Sequence, residues 1–321
     1  MIRLFKTNDI AQVVIIVLAT ALLWTPSLLH PQPIVLPEGF APLYHLAARW
    51  LMPLPRIATL VALLLIILEG VLLNVLLYNE KMLPQNTLLP TLLYIVGMSA
   101  MDTFRTLTPL PFVNLCLLGI LNQMVMRGNN VPTLANTFNS AALIAIAALF
   151  YTPALLLLIP LIIMFTIHKL YSWRDWTVLL LGLLAPMIAL WTYYFMTDGL
   201  TSAWQNIQTT WQWHFEAGSH VPLRTVISNV YYLLFLIVVL IAIISPLNER
   251  QINYRKNTAV VLWPLLATAA MSCFDALWPF NPQLAAIPLA FAGTIALLNI
   301  KKRTWIADTA LLLLIAAALF G

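Results

Sequence analysis

Glu69 stands in the run LLLIILEGVLLNVLLY, with no other charged residue between Arg56 and Glu80. A carboxylate in the middle of so apolar a segment is costly, and its usual reason is an ion or proton site. The bland alternative is a neutral acid, or one satisfied by hydrogen bonds, with Asn114 and Asn122 in PFVNLCLLGILNQM as candidate partners. Two further carboxylates stand in polar stretches: Glu38 in VLPEGFAPLY and Asp102 in SAMDTFRTL. Each could act as a general base toward a hydroxyl, or simply pair with a neighbour: Asp102 and Arg105, three apart, would meet on a helix end. His45 and Arg49, four apart, share one side of a helix and could face a lipid-linked phosphate. Arg56, Arg105, Arg224 and Trp278 are the remaining candidates for holding such a phosphate or stacking on a sugar. His214, Glu216 and His220 invite a metal, but their spacing matches no ligand set on one helix face, so a divalent metal stays open and unassigned. No haem, flavin or nucleotide motif occurs.

The elements that would position these residues are membrane helices. Of the residues, 62% are hydrophobic and 8% charged, with a mean hydropathy of +0.91, against about a quarter charged in a soluble domain. The apolar runs are continuous rather than alternating, which excludes a β-barrel pattern. The net charge of +5 comes from short basic clusters between apolar runs, the signature of membrane orientation rather than nucleic-acid binding. Cys116 and Cys273 both lie in apolar segments, so no disulfide framework is expected. Arg3 and Lys6 precede a first apolar segment without a cleavage site, which reads as a retained helix.

The uncharged run from Phe138 to His168 would be about 46 Å long as a single helix, too long for a bilayer core of about 30 Å. Thr152-Pro153 is the natural break, because proline lacks an N–H and disfavours helix in the residue before it. Orientation agrees. Two crossings, with the N-terminus in the cytoplasm, put Arg3, Lys6, Lys81, Arg127, Lys169, Arg174, Arg250, Arg255, Lys256 and Lys301 to Arg303 inside, leaving only Arg49, Arg56, Arg105 and Arg224 outside. One crossing would move everything from Lys169 onward and reverse that asymmetry. The expected fold is therefore an all-α polytopic transmembrane bundle, one integral-membrane domain over 1–321, with about eleven spans. These are 10–29, 57–78, 87–101, 109–126, 138–151, 153–168, 177–197, 228–246, 257–274, 284–300 and 304–320.

Interfacial helices are expected on the outer face. Near 42–53, Leu43, Leu46, Ala47, Trp50 and Leu51 recur at helical spacing. In the outer loop 198–227, Trp204, Ile207 and Trp211 do the same. The outer face would collect Glu38, Asp102, Asp198, Glu216 and Asp275, together with the four outer arginines.

The stretch from Phe138 to Phe195, above all its YSWRDW turn, resembles a family of bacterial multi-pass membrane proteins of unknown function; LWTP and PLY near the N-terminus are similar too. That resemblance implies the bacterial cytoplasmic (inner) membrane and the bilayer as partner, and brings no activity. More distantly, LFYTPALLLLIPLIIM followed by a basic turn and another span resembles the middle of the GT-C glycosyltransferases, which use polyprenyl-phosphate sugars at the outer membrane face. The resemblance implies a step in envelope glycan assembly. Glu38 would stand for the family's first acidic position and Asp102 for its second, with Tyr151 where those enzymes often carry lysine. The rival expectations are a transporter or flippase using Glu69, and a non-catalytic subunit of an envelope complex.

Overall fold

The computed structural model describes residues 5, 10–34, 36, 41–100, 105–125, 133–169, 172–201, 204, 223–244, 251–272, 281–300 and 304–320. All regular structure among them is helical: α1 (Ile10–Leu29), α2 (Pro42–Leu51), α3 (Pro55–Asn79), α4 (Leu89–Met98), α5 (Leu110–Met124), α6 (Leu134–Phe150), α7 (Leu158–His168), α8 (Trp173–Met196), α9 (Leu223–Ile244), α10 (Ile252–Leu262), α11 (Pro264–Ser272), α12 (Ala286–Asn299) and α13 (Thr304–Phe320). Among the described residues, four helices are long and apolar enough to cross a membrane, by length and composition: Ile10–Leu29, Pro55–Asn79, Trp173–Met196 and Val226–Ile243. The other apolar helices are shorter.

Proline starts many of them. Pro42, Pro55, Pro90 and Pro111 occupy the first turns of α2 to α5, where the missing N–H would have had no partner inside the helix. Polar caps are kept for the end of the bundle that carries α6 and α8 starts. The Thr133 hydroxyl accepts from the Asn136 N–H, and in the YSWRDW turn Ser172 Oγ accepts from the Arg174 N–H at 3.2 Å while Asp175 Oδ2 accepts from the Ser172 N–H at 3.2 Å. That reciprocal pair is a capping box, and it fixes where α8 begins.

α4 and α12 form the central pair. Every residue of α4 is buried, as is α12 from Ala286 to Leu298. Small residues let them close up: a Cβ on Gly97 would lie 3.6 Å from the Ala286 Cβ, an ordinary contact. Around this pair stand α3, α9 and α13, whose outward faces are leucine, isoleucine and valine. α8 packs along α6 and is otherwise apolar and exposed. At their closest approach a Cβ on Gly182 would come within 2.6 Å of the Phe138 carbonyl oxygen and 2.8 Å of the Ala141 Cβ, so only glycine fits.

The break at Pro153 is a reversal. Tyr151 is extended (φ −151°, ψ 102°), and a 3-10 turn over Thr152–Leu157 leads into α7. Phe150, at the end of α6, stacks on Phe112 at the start of α5, with ring centroids 4.5 Å apart. His168, at the end of α7, lies beside the Met124 backbone at the other end of α5. The chain thus runs along α5, back along α6 and down again along α7. A second break escapes the sequence reading: the segment expected as one span over 257–274 is divided at Trp263-Pro264 into α10 and α11, because proline interrupts the hydrogen-bond ladder there too.

Long-range hydrogen bonds tie the two ends of the bundle. At one, which we call the Tyr44 end, the Trp24 indole donates to Ser99 Oγ (2.9 Å) and the Tyr44 hydroxyl donates to the Leu107 carbonyl (2.8 Å). At the opposite Gln12 end, Gln12 Oε1 accepts from the Leu88 N–H (2.9 Å), and Asn136 Nδ2 donates to the Gln123 carbonyl (3.2 Å).

Candidate functional site

Glu69 lies near the middle of α3, fully buried. Its partner is the Tyr94 hydroxyl on α4, which donates to Glu69 Oε2 at 2.7 Å. One turn toward the Gln12 end, the Thr91 hydroxyl donates to the Gly70 carbonyl (3.0 Å), so α3 and α4 are joined by two consecutive polar contacts. The expected asparagine is one step removed. Asn114 of α5 reaches the same Tyr94 phenol rather than the carboxylate, and its Nδ2 donates to the Gln283 carbonyl (3.0 Å) and Met98 Sδ (3.2 Å). Gln283 in turn donates from Nε2 to the Met98 carbonyl (3.0 Å), and its backbone N–H donates to Asn281 Oδ1 (3.0 Å).

The result is a continuous polar string through an apolar bundle. It runs from Glu69 at mid-depth, through Tyr94 and Asn114, to Gln283 and Asn281 at the Tyr44 end. Its arithmetic is uneven. Tyr94, the Asn114 amide and the Gln283 amide all have acceptors, whereas Glu69 Oε1 and Gln283 Oε1 are buried without a hydrogen-bond partner among the described residues. A buried polar group without a partner costs about 1–3 kcal/mol. The string therefore holds more acceptors than donors around a carboxylate, which is the chemistry that favours uptake of a proton or another cation.

The Tyr44 end gathers the other sequence candidates. α2 is buried through Tyr44 and Ala48, while Leu46 and Trp50 of the expected apolar stripe point outward, Trp50 with 76% of its surface exposed. The helix thus presents tryptophan and leucine away from the protein, as an interfacial helix does. Burial pushes the Tyr44 phenol up to about 12, so its hydrogen bond to Leu107 holds over the ordinary pH range. That bond ties α2 to the stretch between α4 and α5; in the sequence Tyr44 follows Glu38 by six residues and Leu107 follows Asp102 by five. His45 is half-buried and Arg49 and Arg56 are exposed. Arg105 is placed otherwise: its guanidinium is buried and donates to the Ser99 carbonyl (3.5 Å) and to the Ala318 carbonyl near the end of α13. It clasps the C-terminal ends of α4 and α13, where a cation suits the negative pole of a helix.

Glu38, Asp102, Trp278, the Arg224 side chain and the expected interfacial helix and histidine pair of 205–222 lie outside the described residues. Among the described residues no three His, Cys, Asp or Glu side chains form a group that could hold a metal. Tyr94 and Gln283 are the members of the string that sequence reading missed. Gln283 carried a signal, as part of an Asn-Pro-Gln stretch shortly before a largely apolar helix; Tyr94 looked like any core aromatic.

Compared with protein-family models, with curated proteins and with solved structures, the chain has no match.

Proposed function

We propose that the chain is a multi-pass protein of the bacterial cytoplasmic membrane in which Glu69 is the proton-binding group of a transport step. The observation that carries this reading is the fully buried carboxylate at mid-depth of a helix long enough to span a bilayer, with one oxygen bound to Tyr94 and the other without a partner among the described residues. An intramembrane acid so placed is a functional group by default. The Tyr44 end is the outer end in this account, and about eleven crossings follow if each short apolar helix spans, α10 and α11 together. The reversal at Tyr151–Leu157 favours two crossings there. In this reading the proton is taken up and released at Glu69 itself, and the Tyr94 hydroxyl, which donates to Oε2, holds the carboxyl in place.

The test needs no transported solute. Proteoliposomes adsorbed on a solid-supported membrane and subjected to a pH jump should give a transient charge displacement. Glu69→Gln should abolish it while the protein remains monodisperse. An equal displacement in wild type and variant removes Glu69 from the mechanism.

A second reading is a GT-C-like glycosyltransferase acting on polyprenyl-phosphate-linked sugars in envelope assembly. It is favoured by the Tyr44–Leu107 bond, whose partners follow Glu38 by six residues and Asp102 by five in the sequence. In that reading a carboxylate activates the acceptor hydroxyl, and Arg49 and Arg56 face the lipid phosphate. Glu38→Gln and Asp102→Asn would then abolish sugar transfer from a lipid-linked donor while Glu69→Gln leaves it near wild type; the transport reading requires the reverse order.

A further inference from the structure

The Gln12 end carries a cavity that the Glu69 string does not use. The turn after α3, the start of α10 and the end of α12 enclose a half-open space of about 320 Å³. Its lining is two-toned: Lys81, Gln251, Tyr254 and Asn299 are polar, while Leu83 and Ile295 are apolar. A phosphate-bearing headgroup with the first carbons of a chain has the same division.

Lys81 is the residue that gives the cavity its charge, and its backbone is unusual. It adopts φ 52°, in the left-handed region, to close α3: its N–H donates to the Tyr78 carbonyl (3.0 Å) and the Met82 N–H donates to the Leu77 carbonyl (3.0 Å). Glycine or asparagine makes that closure at lower cost, about 1 kcal/mol or more below a side chain such as lysine. The helix end therefore explains the conformation but not the lysine. An exposed ammonium at the mouth of a polar cavity does explain it. Its surroundings are basic on balance. Arg255 and Lys256 follow Tyr254 in α10, against Glu80 next to Lys81. Gln251 stands at the N-cap of α10 without using its side chain to cap the helix. Basic pockets between membrane helices on the cytoplasmic side are where anionic headgroups bind.

We propose that this cavity is a binding site for a phosphate-bearing anion, either the headgroup of an anionic lipid of the inner leaflet or a free phosphate, with Lys81 supplying the charge and Tyr254, Gln251 and Asn299 the hydrogen bonds. The site is separate from the Glu69 string and stands or falls without it.

The full-length protein in detergent would be titrated with phosphatidylglycerol, with phosphatidylcholine and with inorganic phosphate, and thermal stability followed. Phosphatidylglycerol should stabilise it well beyond phosphatidylcholine if the source is a lipid; inorganic phosphate should do so alone if the source is a free anion. Lys81→Asn, which suits the left-handed backbone, should weaken the apparent affinity at least tenfold without lowering the melting temperature in phosphatidylcholine, and Lys81→Arg should keep the affinity. Asn299→Leu, which leaves the turn untouched, should weaken it too. Equal protection by the two lipids with none from phosphate, no protection by any of the three, or protection that Lys81→Asn and Asn299→Leu leave intact, each overturns the proposal.

Discussion

Tyr94→Phe is the most informative single-atom change in the bundle. It deletes the hydroxyl and keeps the ring, so the packing of a fully buried side chain between α3 and α4 is preserved. What it removes is the 2.7 Å donor to Glu69 Oε2. Glu69 Oε1 already lacks a partner among the described residues, so the variant leaves both carboxyl oxygens without one. At a pH where Glu69 is ionised, a hydrogen bond to it contributes about 1.5–3 kcal/mol and stranding the buried acceptor costs a similar amount, so the expected loss there is about 2–3 kcal/mol, falling toward about 1 kcal/mol where the carboxyl is protonated. A double-mutant cycle isolates the pair. Glu69→Gln, Tyr94→Phe and the double variant would be unfolded in mixed micelles. The Tyr94→Phe penalty should shrink by about 1–2 kcal/mol in the Glu69→Gln background, because a neutral amide is a weaker acceptor than a carboxylate. Additivity within about 0.3 kcal/mol would refute the reasoning, since residues in one buried network do not behave independently.

Two further substitutions probe the frame that holds the site. Arg105→Met keeps most of the volume but deletes the donors to the Ser99 and Ala318 carbonyls at the Tyr44 end, and should destabilise the protein by about 2–4 kcal/mol in the same micelle assay; a change under about 0.5 kcal/mol would mean the clasp contributes nothing. Gly182→Val drives a side chain into the Phe138 carbonyl and the Ala141 Cβ, so α6 and α8 separate. A cysteine pair placed across that seam should then lose its oxidative cross-link, and an undiminished cross-link would show that the close approach is not required.

Much of the frame can be read from residue types. Pro153 predicts a break because its ring and missing N–H act locally, and the chain does reverse there. Ser172 and Asp175 in YSWRDW carry a capping box in their spacing alone. Pro264 carries the same information as Pro153, yet it sits in a run short enough for one crossing, so length hid the break. Glu69 announces itself as the one acid in a long apolar helix. Its partner does not, because Tyr94 lies on another helix and a phenol in an apolar segment has the same appearance whether or not its hydroxyl is used. Asn114, the more conspicuous polar residue, proves to be one link further along. Arg105 shows the limit most clearly. Asp102, three residues away, lies outside the described residues, and two hydrogen bonds of Arg105 run to backbone carbonyls, one of them Ala318 on α13. A carbonyl leaves no trace in residue identity.

The measurement that bears most directly on Glu69 as a proton site is pH-difference infrared spectroscopy of the protein in lipid, read in the carboxyl C=O stretching region. The account predicts a band from a buried protonated carboxyl that changes as pH is cycled and is absent in Glu69→Gln, while Tyr94→Phe shifts its frequency. A band that persists in Glu69→Gln, or a Glu69 signal that does not respond to pH, would contradict it.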